Sequence, residues 1–264
     1  MMMAAMLRCC VLGAALLAVT GMGRAEPVRV CISDIPYPPF LFPDRDGSIQ
    51  WLLKKAAARA GVSIELPVMP IKRCMAEMVS GRIAARVAGD TPVTRASLSF
   101  PSKAGAPDAD LSLGYAREMA FRLKDGTVDW DGHSFVRLNG TVLMQPGFSY
   151  TEELMQRLHV NVDIGGKTLD ANLGKLLAGR GDIAIGFEFY APFVLARPEF
   201  TGKIEMLPIP VHEATYYLTF APDYYKRHRA DVERLWTAAA EIRRTPAYEA
   251  LKQSIIKATL DEAR

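Results

Sequence analysis

The order of apolar segments constrains this chain most, because one succession of strands and helices occurs twice. Each occurrence reads strand, helix, strand, helix, strand from its hydrophobic periodicity. The first occupies residues 28–32, 49–60, 62–66, 71–79 and 83–88, and the second occupies 141–144, 149–158, 160–164, 169–177 and 183–187. Short strands that alternate with helices pair in parallel through right-handed crossovers, so each half predicts an open, mostly parallel sheet flanked by helices.

The segments between and after these halves predict two lobes joined by two hinge strands. Extended apolar runs at 113–123 and 207–220 stand on either side of the second half, where a chain would cross between lobes and return. The helical tail beyond them is expected to pack on the first lobe. We therefore assign residues 26–118 and 215–264 to lobe 1 and residues 119–214 to lobe 2. Open α/β sheets bind ligands beyond the carboxyl ends of their strands, so two facing lobes predict a cleft.

The first 25 residues are typical of a secretory signal peptide. Arg8 precedes a short apolar run, and Ala25 ends a small-residue pattern suited to cleavage before Glu26. The chain contains 32 Lys and Arg, two of which lie in this leader, against 29 Asp and Glu. This balance gives no reason to expect a nucleic-acid partner. No later stretch is apolar and long enough to insert into a membrane. We expect an exported protein that acts as a monomer.

Two cysteines follow the leader, Cys31 in the first predicted strand and Cys74 in the second predicted helix. In an oxidising compartment such a pair favours a disulfide over a reactive thiol pair. The four histidines are scattered without metal-ligand spacing, and the sequence predicts no metal and no cofactor.

The loop after the first strand reads Pro36-Tyr37-Pro38-Pro39-Phe40, and its prolines stiffen the backbone. Tyr37 and Phe40 can therefore be held as flat apolar surfaces at the mouth of a cleft. On the second half, Phe148 and Tyr150 are placed to sandwich the apolar part of a ligand from the other side. The alternative is that at least one of these rings is core packing.

The sequence resembles the bacterial periplasmic solute-binding proteins of the amino-acid-binding type (family 3, type II periplasmic binding protein fold). The resemblance is carried by the order of several short motifs: 28–32 with 37–40, 80–85, 91–95 with 100–101, 139–150 and 177–184. It covers essentially the whole chain after the leader. Cys31 together with the Arg73-Cys74 dipeptide further resembles a poorly characterised subgroup of that family. The resemblance implies a two-lobed receptor that delivers a small polar solute to the ATP-driven membrane permease of an ABC transporter.

Arg95 occupies the position where this family carries its carboxylate-binding arginine, and a guanidinium fork suits a planar anion. A solvated surface arginine is the alternative. Gly89, Asp90 and Thr91 are expected to line the floor of the cleft with backbone amides and one hydroxyl. Ser149, with an acidic residue three positions later, predicts a capping box at a helix N-terminus near the cleft. Ser149 could instead cap its helix without touching a ligand.

The acceptor for a ligand ammonium group is left open by the sequence. The family's acidic residue should fall at Phe187, and Glu188 is next. Either the register slips by one and Glu188 binds the ammonium, or the ligand has no α-amino group.

We therefore expect no enzyme but a periplasmic receptor for an amino acid or organic acid. One alternative is an exported enzyme on the same scaffold, for example a dehydratase, with Glu188 or Asp34 as its acid. The other alternative is an accessory or sensory binding module.

Overall fold

The structure is a computed structural model that describes residues 26–263, and the signal peptide predicted at 1–25 lies outside these residues. The strands are β1 (Val28–Ser33), β2 (Ile64–Glu65), β3 (Val68–Met69), β4 (Ala85–Gly89), β5 (Ser102–Lys103), β6 (Ala106–Pro107), β7 (Gly114–Leu123), β8 (Asp129–Trp130), β9 (Phe135–Val136), β10 (Val142–Leu143), β11 (Val162–Asp163), β12 (Ile183–Phe187) and β13 (Ile204–Phe220). The helices are α1 (Ser48–Ala60), α2 (Ile71–Val79), α3 (Pro92–Ser97), α4 (Ser149–Arg157), α5 (Leu169–Leu177), α6 (Ala191–Leu195), α7 (Pro222–Arg227), α8 (Arg229–Arg243) and α9 (Pro246–Ala263).

Two parallel sheets are joined through a central antiparallel pair of strands. Strand β1 pairs in parallel with β2, β3 and β4, and β10 pairs in parallel with β11 and β12. The long strands β7 and β13 pair with each other, and they also pair antiparallel with β12 and β4 respectively. The resulting order across the described sheet is β11-β10-β12-β7-β13-β4-β1-β2. This arrangement confirms the predicted α/β fold of two lobes with two connecting strands.

Helix α1 shows how the sequence builds the first lobe. Its residues Leu52, Leu53 and Ala56 are fully buried, and they pack on the side of the sheet that α8 also covers. Gly61 ends the helix with φ of 70°, a left-handed conformation that glycine adopts without a steric penalty. Burying each leucine side chain stabilises the fold by about 1.5 to 3 kcal/mol.

Each lobe has its own hydrophobic core. The second lobe buries Phe121, Met155 and Leu173 around β7, β10 and β12. The first lobe buries Trp236 among the α1 and α8 residues, and the indole Nε1 donates a 2.7 Å hydrogen bond to the carbonyl oxygen of Leu218. That bond satisfies the polar atom that burial would otherwise leave unpaired.

The helical tail contacts both lobes. Helix α8 packs against α1, as expected for a tail that returns to the first lobe. Helix α9 contacts α1 and also α6, and its Ile256 and Leu260 pack against the core of the second lobe.

Candidate functional site

A cavity of about 580 Å³ opens where the parallel strands of both lobes end. Its walls comprise the end of β1 with the following loop, the start of α2, β4, the first half of β7, the middle of β13, and the segments around 146–150, 164–167 and 187–189. Because these segments come from both lobes and from the connecting strands, the cavity is the cleft that the topology predicts.

Aromatic side chains form much of the wall. All four rings predicted from the sequence, Tyr37, Phe40, Phe148 and Tyr150, line the cavity. Tyr37 meets Phe187 edge-on, with ring centroids 5.7 Å apart. The loop after β1 therefore reaches across to the second lobe.

Two further rings, Phe187 and Phe189, belong to this wall and were not predicted as ligand contacts. They stack on each other with centroids 4.9 Å apart, and Phe40 meets Phe189 at 4.8 Å. Phe148 also packs on Phe187 at 4.8 Å. One sequence signal could have indicated this aromatic wall: Phe187 stands at the position where the family resemblance implies an acidic residue.

Arg86 is the cationic side chain that the strand pattern did not single out. It lies on β4 directly opposite Cys31 of β1, and its side chain lines the cavity. Its Nε atom is shielded from solvent and has no hydrogen-bond partner among residues 26–263. Burial lowers the pKa of this guanidinium, with Tyr216 acting in the opposite direction. No carboxylate within the described part of the chain forms an ion pair with Arg86.

Arg95 does not lie where the sequence placed it. Its side chain is 55% exposed and forms a two-point ion pair with Asp90, of which one contact joins Nη2 to Oδ2 at 2.7 Å. Neither Arg95 nor Asp90 is among the residues that line the cavity, whereas Gly89 and Thr91 are. The physical reason is local: Thr91 caps the short helix α3, and this turn brings Arg95 back onto the nearest carboxylate.

Ser149 and Glu188 also differ from expectation. Ser149 is the first residue of α4, and Phe148 occupies the cap position where the sequence predicted Ser149. Glu188 follows β12, lies outside the cavity lining and pairs with Arg117, the nearest Nη1 to Oε1 distance being 3.3 Å. This ion pair engages Glu188 with a residue that is also outside the cavity lining.

A buried acid, Glu118, faces the cavity from β7 and was missed by the sequence analysis. Its side chain is almost fully buried, and the buried hydroxyl of Thr151 on α4 donates a hydrogen bond to Oε2. Burial raises the pKa of Glu118 to about 7, and the Thr151 hydrogen bond partly offsets the rise. Burial also raises the pKa of Tyr37 to about 12 and that of Tyr216 well above its usual value.

Cys31 and Cys74 are joined by a disulfide, which confirms the predicted pairing. The bond links β1 to α2, with the two Cα atoms 6.0 Å apart, and both residues line the cavity. The first lobe's wall is therefore covalently fixed beside Arg86.

Among residues 26–263 no group of three or more His, Cys, Asp or Glu side chains is placed to hold a metal ion. Across the same range, no helix combines the length and the apolar character needed to cross a membrane.

The fold has many solved counterparts at low sequence identity. The GluR0 ligand-binding core from Nostoc punctiforme, solved with L-glutamate, is 16% identical, with a TM-score of 0.67 over 85% of this chain and 97% of that one. A histidine kinase sensor domain with similarity to periplasmic binding proteins is 17% identical, with a TM-score of 0.68 over 88% and 96%. A substrate-binding protein of an amino acid ABC transporter is 16% identical, with a TM-score of 0.65 over 88% and 100%.

No family profile and no curated protein matches the sequence itself. Likeness at this level of identity concerns the fold, and the fold agrees with the strand order and the position of the cleft. The chain has the two-lobed fold of the periplasmic binding proteins.

Proposed function

We propose that this protein is an exported receptor that holds a small carboxylate, an amino acid or an organic acid, between its two lobes. The observation that carries the proposal is Arg86, a cation that lines the cavity without a carboxylate partner among the described residues. Burying a charged side chain without a partner costs several kcal/mol of desolvation free energy. An oppositely charged partner offsets this cost only when it also forms charge-assisted hydrogen bonds with the buried group. A bound carboxylate would supply those bonds through the guanidinium fork.

The aromatic wall supports a ligand that also has an apolar part. Tyr37 and Phe40 come from lobe 1, and Phe187 and Phe189 come from lobe 2. A ligand between these rings contacts both lobes, so it favours the closed arrangement over an open one. In this proposal the lobes comprise residues 26–118 with 215–264, and residues 119–214.

Delivery to the permease of an ABC transporter in the periplasm is the role we favour. The likeness to a substrate-binding protein of an amino acid ABC transporter supports it, and the likeness to a histidine kinase sensor domain supports a sensory module as the second candidate. Deleting the gene separates the two roles. A transport protein is required for uptake of its solute, whereas a sensory module is required for a transcriptional response to it.

A thermal-shift screen tests ligand binding directly. The purified protein is heated with a panel of L-amino acids and organic acids, and with the primary amide of each acid as its matched neutral control. A binder at 100 times its dissociation constant adds about 2.7 kcal/mol to the native state. For a chain of this size that is an increase of about 5 to 10 °C in the melting temperature. The proposal fails if no acid raises the melting temperature, or if acids and amides raise it equally.

Export is tested in the same preparation. The protein recovered from the periplasm should begin at Glu26 by N-terminal sequencing. Retention of residues 1–25 in the cytoplasm would contradict the proposed location.

An enzyme on the same scaffold is the third candidate, because Glu118 has the raised pKa that general acid–base chemistry uses. Incubating the protein with its ligand and analysing the recovered ligand by mass spectrometry separates this candidate from a receptor. A receptor returns the ligand chemically unchanged.

A further inference from the structure

Glu118 stands in the cavity wall as an acid without a cation. Its Oε2 accepts the hydroxyl hydrogen of Thr151, and no other hydrogen bond to this carboxyl group occurs among the side chains that the structure describes. No Lys, Arg or His nitrogen of the described residues lies within 4.0 Å of this carboxyl group. Successive side chains of a strand point to opposite faces, so the neighbouring cation Arg117 does not point the same way as Glu118. Arg117 instead pairs with Glu188 and Glu213.

The same cavity therefore contains an acid without a cation and a cation without an acid. Glu118 and Arg86 both line it, and they are not joined to each other by an ion pair. The side chain of Tyr216 interacts electrostatically with both Glu118 and Arg86. A ligand with one positive and one negative group would give each of these two side chains a partner of opposite charge, which is what buried charges require.

We propose that Glu118 accepts a cationic nitrogen of the ligand while Arg86 binds its carboxylate, and that ligand binding expels a proton from Glu118. The proposal rests on the proposed receptor function and deepens it, because it assigns the ligand to zwitterions. It also replaces Glu188, which the sequence suggested for the ammonium and which lies outside the cavity lining.

The proton follows from the chemistry of the pair. Without ligand, burial raises the pKa of Glu118 to about 7, so the group is mostly protonated at pH 6. A cationic nitrogen stabilises the carboxylate and lowers its pKa, so the proton leaves as the ligand enters. Affinity for the zwitterion should then be about tenfold weaker at pH 6 than at pH 8.

Other charged groups also lie near Glu118 or in the same cavity wall. Asp34, Lys72 and Lys167 line the cavity without an ion-pair partner among the described residues. Ion-pair partners engage Glu188, Glu205 and Glu213, and also Asp170 and Lys175 on α5. Burial raises the pKa of Tyr37, Tyr190 and Tyr216, so these phenols stay neutral. Burial lowers the pKa of His212, the residue opposite Glu118 on β13. The proton-release measurement is therefore repeated with His212→Gln, which removes any contribution of this imidazole to the protons exchanged on ligand binding.

Isothermal titration calorimetry tests the proposal with matched probes. The probes are the twenty common L-amino acids and, for each binder, the acid in which hydrogen replaces the amino group. In wild type the amino acid should bind at least about tenfold more tightly than its deamino analogue, since hydrogen bonds between charged groups are the strong ones. Glu118→Gln should abolish that preference, and Glu188→Gln, the matched control, should keep it.

Proton release is measured on wild type, so it does not depend on a variant that folds. Titrations in two buffers of different ionisation enthalpy should show about 0.9 protons released per ligand at pH 6 and about 0.1 at pH 8. Release of no proton at pH 6 overturns the proposal.

The remaining outcomes separate the two proposals. If acids bind but the amino group adds no affinity, or if Glu118→Gln weakens both probes equally, the Glu118 assignment is wrong and the receptor function stands. If no carboxylate binds, both proposals are wrong.

Discussion

Replacing Glu118 by Gln should stabilise the ligand-free protein at alkaline pH much more than at acidic pH. The ordinary pKa of a glutamic acid is 4.5, and burial raises that of Glu118 to about 7. An acid whose pKa is raised on folding binds its proton more tightly in the native state. Its contribution to stability is therefore fully present below about pH 4.5 and is lost as the pH rises through about 7.

The size of the effect follows from these two values. Each pKa unit corresponds to about 1.4 kcal/mol, so ionised Glu118 costs the native state about 3 kcal/mol at pH 8. Part of that cost is already present at pH 5, which leaves a change of about 2 to 3 kcal/mol between pH 5 and pH 8. Glutamine has the shape of glutamate and can accept the hydrogen bond of Thr151, so it removes the charge without opening a void.

The assay is urea unfolding of ligand-free wild type and of Glu118→Gln at pH 5, 6, 7 and 8. The difference in the free energy of unfolding between variant and wild type should grow with pH by the stated amount. Glu188→Gln changes a partly exposed, paired acid, so its difference from wild type should stay within about 1 kcal/mol. The reasoning is refuted if the Glu118→Gln difference is constant with pH or shrinks as the pH rises.

Three further predictions concern the walls of the cavity. Thr151→Val removes the hydrogen bond that lowers the pKa of Glu118, so the pH midpoint of proton release should move above about 7; an unchanged midpoint would contradict this. Replacing Cys31 and Cys74 by Ser opens a covalent link between positions 43 residues apart, which should cost about 4 kcal/mol in denaturant unfolding, and a loss below about 1 kcal/mol would contradict the entropic account. Phe187→Ala removes a ring that packs on four others, so it should lower the free energy of unfolding by about 3 to 5 kcal/mol and weaken ligand binding measured by calorimetry; unchanged affinity would place the ligand elsewhere.

The fold could be predicted from the sequence because periodicity and helix stops agree along the chain. Apolar residues at helical spacing indicated α1, and Gly61 ends it in the structure. The apolar run at 207–220 indicated a connecting strand, which the structure extends to Ile204–Phe220. Such patterns are local, because they arise wherever one face of a helix or strand is buried against the core.

The aromatic part of the site could also be predicted. Tyr37 and Phe40 lie in a proline-stiffened loop directly after β1, so their position at the carboxyl edge of the sheet follows from chain order. Chain order places a residue only at an edge of the sheet, but an aromatic ring is large enough to reach the cleft from that edge.

The charged part of the site could not be predicted in the same way. Arg95 turns toward Asp90, five residues earlier, and this pairing depends on the path of α3. Arg86 and Glu118 lie inside strands β4 and β7, and only the pairing of the strands shows that both face one cavity. For Arg86 the available signal was a single charged residue within an apolar strand, and it was not used for the site.

The most direct test of the account compares two arginines by calorimetry. Arg86→Gln removes the cation that faces the cavity, and Arg95→Gln removes the predicted cation that pairs with Asp90 outside it. With the best carboxylate ligand from the screen, Arg86→Gln should weaken binding at least about tenfold, and Arg95→Gln should leave the dissociation constant within about twofold of wild type. Loss of binding in Arg95→Gln with retained binding in Arg86→Gln would contradict the account.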